Sequence, residues 1–324
     1  MRNIFFTCAS QTPLFVAGLL LAAPGIAFAQ GGRGGPPSAN LAQASELMRA
    51  GRTAEAVAAV KREAETNPTS SAAANLLDTL GATADARVIL QRRIDAAADP
   101  AARAAAHRAM AMSFAFDGDS ANTVKFEQLV IAYWVTREQA EPQNAFYQEG
   151  EMANEAARVC IDSGDLAAAE RWYRKGTELG LKEPEPKTHP KSLWDFRLAH
   201  ALARLAARHG DQAGAQRHVA VARAILDGDP KMAAQQERFF PYLVGYVALY
   251  TNELTTAETE LAKAMNTQGN QNDPFIACLL AMTHEKLGQA EKAKELYGKA
   301  YGLATAHNPP AAFVRPFARK KLGL

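Results

Sequence analysis

The chain has 324 residues, of which 48% are hydrophobic, and a formal net charge of +2. This composition supports a sizeable core and excludes wholesale disorder. The near balance of charges argues against a dedicated nucleic-acid-binding protein, which usually carries a marked basic excess. Alanine supplies 68 residues and aromatic side chains only 25, a bias that favours close-packed helices over β-sandwiches or barrels.

Residues 1–29 have the pattern of a secretory signal peptide. Arg2 is the only charge before an apolar run from Leu14 to Ala29, and Ala27-Phe28-Ala29 forms an A-x-A cleavage site. The alternative is an uncleaved anchor, but this run is shorter than the roughly 20 residues that span a bilayer as a helix. We therefore expect cleavage after Ala29, a secreted or periplasmic protein, and no transmembrane segment in the mature chain.

Residues 30–39 are rich in Gly and Pro, which predicts a flexible linker. Beyond it only Cys160 and Cys278 remain, each inside an apolar helical pattern. Two isolated cysteines predict buried thiols and exclude a disulfide scaffold, even for an exported protein.

Turn residues and prolines alternate along the rest of the chain. Each turn residue is followed by a proline 17 to 24 residues later. The turn residues are Gly51, Gly81, Gly118, Gly164, Gly210, Asn252 and Gly288. A residue that tolerates positive φ ends one helix, and proline starts or stops the next. Between these breakers apolar residues recur at spacings of three and four, which predicts seven helical hairpins.

Small residues recur at two fixed positions around each turn. Seven residues before the turn stand Ala44, Ala74, Ala111, Ala157, Ala203, Gly245 and Ala281. Five residues after it stand Ala56, Ala86, Thr123, Ala169, Ala215, Ala257 and Ala293. Small side chains at these sites let two antiparallel helices approach closely where they cross. Nine residues after the turn a large side chain recurs, except in the third hairpin, where Glu127 occupies the position.

This pattern resembles the tetratricopeptide repeat family, whose unit is a 34-residue helix pair. The last unit is the most similar, because LGQAEKAKELYGKA carries the turn, the small Ala293, the aromatic Tyr297 and the small Ala300. SGDLAAAERWYRKG and AGRTAEAVAAVKREAETNP repeat the theme in the fourth and first units. The resemblance implies an all-α fold, a right-handed superhelical solenoid over residues 40–308, with a short capping helix or basic tail at 309–324.

The expected units cover residues 40–68, 69–100, 101–142, 143–184, 190–230, 232–274 and 275–308. Their lengths vary more than the family's, and the second and third units show its pattern most weakly. These two are therefore predicted either as true repeats or as generic helical hairpins.

Signatures of catalysis are missing from the sequence. It has no G-x-S-x-G elbow, P-loop or G-x-G-x-x-G motif. His284-Glu285 forms half of the zinc signature H-E-x-x-H, but Gly288 stands where the second His belongs. We expect a protein that is not an enzyme, with no catalytic residues, no metal site and no cofactor.

The first helix of each unit lines a concave groove in this repeat family, and these helices carry the candidate binding residues. On the fifth unit three arginines fall within about 40° of one another around the helix. On the sixth unit three tyrosines recur every four residues. The candidate groove residues are Asn154, Arg158, Arg197, His200, Arg204, Arg208, Tyr242, Tyr246, Tyr250, Met282, Glu285 and Lys286. Glu151 and Asp162 are spaced to pair with Arg158 on the same helix.

An arginine rib beside a tyrosine rib suits an acidic peptide, because guanidinium groups pair with carboxylates and tyrosines supply stiff contact area. We predict a non-catalytic protein–protein interaction scaffold whose groove binds an extended, acidic partner segment. The oligomeric state is left open.

Three alternatives remain at this point. The groove could bind an envelope glycan or a lipid-linked precursor, with the tyrosines as stacking platforms. The chain could self-assemble through its repeats or through the basic tail (Arg315, Arg319, Lys320 and Lys321). The arginines could also form a solvated face while the tyrosines pack against the next repeat.

Overall fold

A computed structural model describes residues 37–324, and within them the fold is an all-α solenoid of helical hairpins. The predicted signal peptide lies outside the described residues, as does most of the predicted linker. The hairpins pair α1 (Ala39–Arg49) with α2 (Thr53–Thr66), α3 (Ser71–Leu80) with α4 (Thr83–Asp95), α5 (Pro100–Phe116) with α6 (Ser120–Val135), and α7 (Pro142–Ser163) with α8 (Leu166–Gly180).

The second half of the solenoid continues the same plan with one irregular unit. We call the two helices of a hairpin its first and second arms. In the sixth hairpin the first arm is broken into α11 (Pro230–Gln236), a 3₁₀ turn (Glu237–Phe239) and α12 (Phe240–Tyr250). The remaining elements are α9 (Lys191–Arg208), α10 (Gln212–Gly228), α11 (Pro230–Gln236), α12 (Phe240–Tyr250), α13 (Leu254–Asn266), α14 (Pro274–Lys286), α15 (Ala290–Leu303) and α16 (Pro309–Leu322). No helix among residues 37–324 is both long and apolar enough to cross a membrane.

The turn inside each hairpin adopts the backbone conformation that the sequence predicts. All seven turn residues have positive φ, from 65° at Asn252 to 92° at Gly164. Aspartates then begin several of the following helices by accepting hydrogen bonds from first-turn amides, as Asp119, Asp165 and Asp211 do. Local backbone chemistry thus marks where each arm ends and the next begins.

The crossing of the two arms depends on the small residues identified above. All fourteen of these positions are buried. At Gly245, a Cβ atom would lie 2.6 Å from Cγ of Leu261, so even alanine would collide there. Close approach of the helices therefore explains why both columns are small.

The fourth hairpin is packed still more closely, through glycines on α7 and α8. A Cβ atom on Gly150 would lie 2.9 Å from the carbonyl oxygen of Gly176. A Cβ atom on Gly180 would lie 2.1 Å from the ring of Trp194, which comes from α9 and is 0% exposed. The indole of α9 thus fills the space left by the missing side chains of α7 and α8.

Helix α16 joins the end of the solenoid to its earlier part. It packs on α14 and α15 in the last hairpin, and it also packs on α5 and α7. The ring of Phe313 lies 5.3 Å from that of Phe275 on α14. Helix α16 therefore lies against α5, α7 and α14, the first helices of the third, fourth and seventh hairpins.

Candidate functional site

Two of the three arginines predicted on α9 contact the tyrosines predicted on α12. The guanidinium of Arg204 donates hydrogen bonds to the hydroxyls of Tyr173 (2.9 Å) and Tyr242 (3.3 Å). Arg208 donates to the hydroxyl of Tyr246 (3.4 Å), and its guanidinium carbon lies 4.9 Å from the centre of the Tyr250 ring. The two ribs therefore contact each other, as neighbouring first arms should.

One carboxylate lies among these arginines. Burial raises the pKa of Asp162 to about 6, although Arg158, Arg204 and Arg208 all act in the opposite direction. Within the described residues, Oδ2 of Asp162 and Nε of Arg158 are buried without a hydrogen-bond partner. Three guanidinium groups are thus close enough to Asp162 to influence its pKa, and this part of the interior carries more positive than negative charge.

The other titratable groups of the interior leave this excess unbalanced. Burial raises the pKa of Tyr246 well above its ordinary value and that of Tyr250 to about 12, so both hydroxyls stay neutral at pH 7. Burial lowers the pKa of His200 well below its ordinary value, and its Nε2 atom is buried without a partner among the described residues. The imidazole is therefore neutral as well.

Burial differs strongly among the predicted groove residues. Arg204 and His200 are 6% and 4% exposed, and Tyr242 and Tyr246 are buried too. Asn154, Arg158, Arg208, Tyr250 and Met282 are half-buried. Of these five, Arg208 and Tyr250 are the last residues of their helices.

Arg197 lies apart from the other arginines of α9. Its guanidinium pairs with Glu151 of α7 and lies 5.0 Å from the centre of the Trp194 ring. The predicted pairing of Glu151 with Arg158 is therefore wrong. Arg197 precedes Arg204 by seven residues, about 10 Å along a helix, so its side chain reaches a different part of α7.

Glu285 and Lys286 lie at the exposed end of α14. Glu285 accepts hydrogen bonds from the hydroxyl of Tyr297 (2.7 Å) and from Nζ of Lys321 on α16 (2.7 Å). Lys286 donates to the carbonyl oxygen of Leu249 at 3.3 Å. Both residues thus link neighbouring helices at the rim of the interior.

A second set of buried charges was not predicted. Glu127 is 0% exposed, neither of its carboxylate oxygens has a hydrogen-bond partner among the described residues, and burial raises its pKa well above the ordinary value. Nearby, Nε of Arg108 donates to Glu155 at 2.9 Å. Glu127 occupies the position at which the other hairpins have a large apolar residue, and this exception was the signal in the sequence for a buried charge. The Arg108–Glu155 pair joins residues 47 positions apart, and no sequence pattern indicates it.

Another buried acidic residue that was not predicted from the sequence is Glu149 on α7. Glu149 is 0% exposed. Burial, together with the neighbouring carboxyl of Glu138, raises the pKa of Glu149 to about 7. A carboxyl group in such surroundings is half protonated at neutral pH.

The two cysteines are buried free thiols, which confirms that prediction. Burial raises the pKa of Cys160 to about 12 and also raises that of Cys278, so neither thiol is activated as a nucleophile. Among residues 37–324, no cluster of three or more His, Cys, Asp or Glu side chains is arranged to hold a metal ion.

Comparison with known proteins identifies one segment of the chain. Residues 276–307, in α14 and α15, match the family model described as tetratricopeptide repeat. Residues 276–307 are thus similar to a tetratricopeptide repeat. This confirms the resemblance at the unit where the sequence pattern is strongest. No curated protein matches the chain significantly. Tetratricopeptide repeats are typically non-catalytic and bind protein partners, so the match supports a protein-interaction scaffold.

Proposed function

We propose that this protein is an exported, non-catalytic scaffold that binds an acidic segment of a partner protein in its concave interior. The observation that carries the proposal is the excess of positive charge formed by Arg158, Arg204 and Arg208 around Asp162. The tetratricopeptide match supports a role in binding proteins, and the charge of the interior supports an acidic partner.

The physical argument concerns the cost of buried charge. A buried guanidinium is stabilised when its donors are satisfied, and carboxylates are its strongest acceptors. Phenol hydroxyls satisfy part of Arg204 and Arg208, whereas Nε of Arg158 has no acceptor in the part of the chain that the structure describes. A carboxylate from a partner would form charge-assisted hydrogen bonds with these groups in surroundings of low dielectric constant. Both an acidic side chain and a chain-terminal carboxylate have this chemistry.

The exported location rests on the pattern of residues 1–29. If the signal peptide is cleaved, the partner is a protein of the cell envelope or the medium. An intact mass corresponding to a chain that begins at Gln30, measured on protein from the host envelope, would support this part of the proposal. A mass corresponding to the full 324 residues would contradict it.

Two of the earlier alternatives find less support. The rings of Tyr242 and Tyr246 are buried, so they do not offer open stacking faces to a glycan. Arg315, Arg319 and Lys321 of the basic tail form hydrogen bonds within the same chain, which leaves them less free to join protomers.

Calorimetric titration with a synthetic decapeptide rich in Glu and Asp tests the proposal. The informative variant is Arg158→Gln/Arg208→Gln, because both side chains are half-buried and glutamine keeps polar hydrogen-bonding groups. The matched control is Arg174→Gln/Arg217→Gln, whose arginine side chains are 56% and 71% exposed. We expect the interior variant to weaken binding at least tenfold, about 1.4 kcal/mol, and the control to bind as the wild type does.

Two further results would decide the matter. Binding should weaken with added salt, and the Gln/Asn analogue of the decapeptide should not bind. Failure of the wild-type protein to bind the acidic peptide, or equal losses in the interior variant and the control, would contradict the proposal.

A further inference from the structure

Besides its packing on α5 and α7, helix α16 is joined to the end of α3 by three polar contacts. Nε2 of His307, just before α16, lies 2.8 Å from a carboxylate oxygen of Asp78. Arg315 donates to the carbonyl oxygen of Thr79 (3.0 Å), and Arg319 donates to that of Leu80 (3.1 Å). The three acceptors belong to consecutive residues, 78–80, at the end of α3, and they lie 229 to 239 residues away in sequence.

These contacts match what the end of a helix offers. The last carbonyl groups of a helix have no partner within it, and they form the negative end of its dipole. Guanidinium groups are suited to such acceptors. Asp78 is 1% exposed and also accepts a hydrogen bond from Ser113 (2.7 Å), so it is held in place for His307. The end of α3 is thus a preformed acceptor for the cationic side of α16.

The opposite side of α16 contacts the last hairpin. Phe313 and Phe317 are four residues apart and stack 5.2 Å from each other. Phe313 packs on Phe275 of α14, and the ring of Phe317 lies 6.1 Å from that of Tyr297 on α15. The helix therefore connects the last hairpin to the end of α3 in the second hairpin. Arg315 contacts both, because it also donates to the carbonyl oxygen of Tyr301 on α15 (2.7 Å).

Helix α16 buries few large apolar side chains. Its buried apolar positions are mainly alanines, and Phe313 and Phe317 are only half-buried. Pro316 inside the helix lacks an N–H group for the backbone ladder. By contrast α14 buries large side chains, among them Phe275 and Leu279. Because apolar stabilisation scales with buried area, α16 is expected to detach at a lower free energy than the hairpins unfold.

We propose that α16 is an autoinhibitory latch, which covers the concave interior when it is docked on α3 and gives a partner access when it is released. The proposal of a latch rests only on the contacts of α16. Only the acidic character of the partner rests on the proposed function.

Cys278 is a built-in reporter of this release. The thiol is 0% exposed on the inner side of α14, and it lies close enough to Asp162 of the interior and Lys321 of α16 for both to influence its pKa. Cys160 is also 0% exposed, but it packs between α7 and α8 in a cluster with Ala169 and Tyr173. Release of α16 should expose Cys278 and leave Cys160 covered.

The first test measures the labelling rate of each cysteine with a thiol reagent, followed by peptide mapping. The variant is Arg315→Gln/Arg319→Gln, which removes the two hydrogen bonds from charged donors to the end of α3 and, with them, the bond from Arg315 to the carbonyl oxygen of Tyr301 on α15. We expect Cys278 to react at least tenfold faster than in the wild type, with the rate at Cys160 unchanged. Unchanged rates at both cysteines, or parallel increases at both, would overturn the latch, because α16 would then open only with the whole fold.

A pair of glycines supplies a second test from the α3 side. Gly81 and Gly210 are both turn residues, with φ of 81° and 77°. A Cβ atom on Gly81 would lie 2.6 Å from Nη1 of Arg319, whereas nothing lies within 4 Å of a Cβ atom on Gly210. Gly81→Ala and Gly210→Ala therefore share the strain of positive φ, and only the former disturbs the latch. We expect labelling of Cys278 to be about threefold faster in Gly81→Ala than in Gly210→Ala, the size of a partly weakened hydrogen bond. Equal rates would contradict the latch.

Titration with the acidic decapeptide separates the latch from the proposed function. If both are correct, the Arg315→Gln/Arg319→Gln variant binds the peptide more tightly than the wild type, because its open state is more populated. Faster labelling of Cys278 without any peptide binding would support the latch and contradict the acidic partner. Equal peptide binding with unchanged labelling would overturn the latch and leave the proposed function standing.

Discussion

The fourth hairpin and the last hairpin share one architecture and bury different chemistry. The first arm of the last hairpin, α14, has 13 residues and buries mainly apolar side chains such as Phe275, Ile276 and Leu280. The corresponding helix of the fourth hairpin, α7, has 22 residues and buries Glu149 and Glu151. The family match falls on the apolar hairpin, and the buried charges fall on the long one.

This contrast shows at which positions the architecture requires a particular type of residue. Both hairpins have a glycine with positive φ at the turn, and both have buried alanines at the crossing. The remaining inward positions accept charges where adjacent helices supply partners, as Arg197 does for Glu151 and Arg108 does for Glu155. A longer first arm reaches more neighbours, so α7 can carry a polar interior that α14 does not.

The largest expected effect comes from Gly180→Ala in the fourth hairpin. The new Cβ atom would lie 2.1 Å from the fully buried ring of Trp194, so helix α8 or the indole must shift. We expect the free energy of unfolding to fall by about 3 kcal/mol, the upper range for overpacking. Urea denaturation measures the change.

The matched control is Gly298→Ala in the last hairpin, where nothing lies within 4 Å of the added atom. Alanine favours a helix over glycine there, so stability should rise by roughly 0.5–1 kcal/mol. Similar changes in the two variants would show that the fourth hairpin is not packed more tightly than the last.

The next effect concerns the raised pKa of Glu149. The folded protein keeps a proton on this carboxyl up to about pH 7, whereas the unfolded chain loses it near its ordinary pKa of about 4.3. The folded state therefore binds more protons between these values, and its stability falls as the pH rises through that window. We expect Glu149→Gln to raise the free energy of unfolding by about 2 kcal/mol near pH 8.5 and to leave it nearly unchanged near pH 4.

Urea denaturation at the two pH values provides the measurement. Glu291→Gln, at an exposed position on α15, is the control and should show no such pH-dependent gain. A gain of equal size at both pH values would contradict a protonated Glu149 in the folded protein.

The smallest effect is a pH dependence of peptide binding through Asp162. Protonation of this carboxyl, with its pKa of about 6, removes a negative charge that competes with the partner for the arginines. We expect affinity for the acidic decapeptide to rise about threefold between pH 7 and pH 5.5, since the carboxyls of the peptide, with pKa values near 4, stay ionised. The lowered pKa of His200 keeps that group neutral over this range.

The variant Asp162→Asn should bind tightly at both pH values and lose the dependence. Asp227→Asn is the control, because Asp227 is 65% exposed and lies on α10, away from the interior arginines. If peptide binding by Asp162→Asn kept the full pH dependence, a titratable group other than Asp162 would be responsible for it.

Much of the fold could be predicted from the sequence because it depends on interactions between residues that are close together in the chain. Positive φ at Gly164 and close approach at Ala157 and Ala169 involve residues within one hairpin, so spacing alone revealed them. The same locality explains why the arginines of α9 and the tyrosines of α12 were predicted to be neighbours. Of the three arginines predicted on α9, Arg204 and Arg208 contact the tyrosines of α12 and Arg197 does not.

The features that could not be predicted from the sequence are contacts between residues of different hairpins. Which carboxylate Arg197 reaches depends on how α9 is displaced along α7, and no spacing records that displacement. The docking of Arg315 and Arg319 on the end of α3 depends on the rotations of all the intervening repeats added together. Small differences in helix length accumulate along the solenoid, and the sequence pattern does not record their sum. The local pattern therefore specifies the hairpins, whereas the packing of the hairpins on one another decides that α16 returns to the earlier helices.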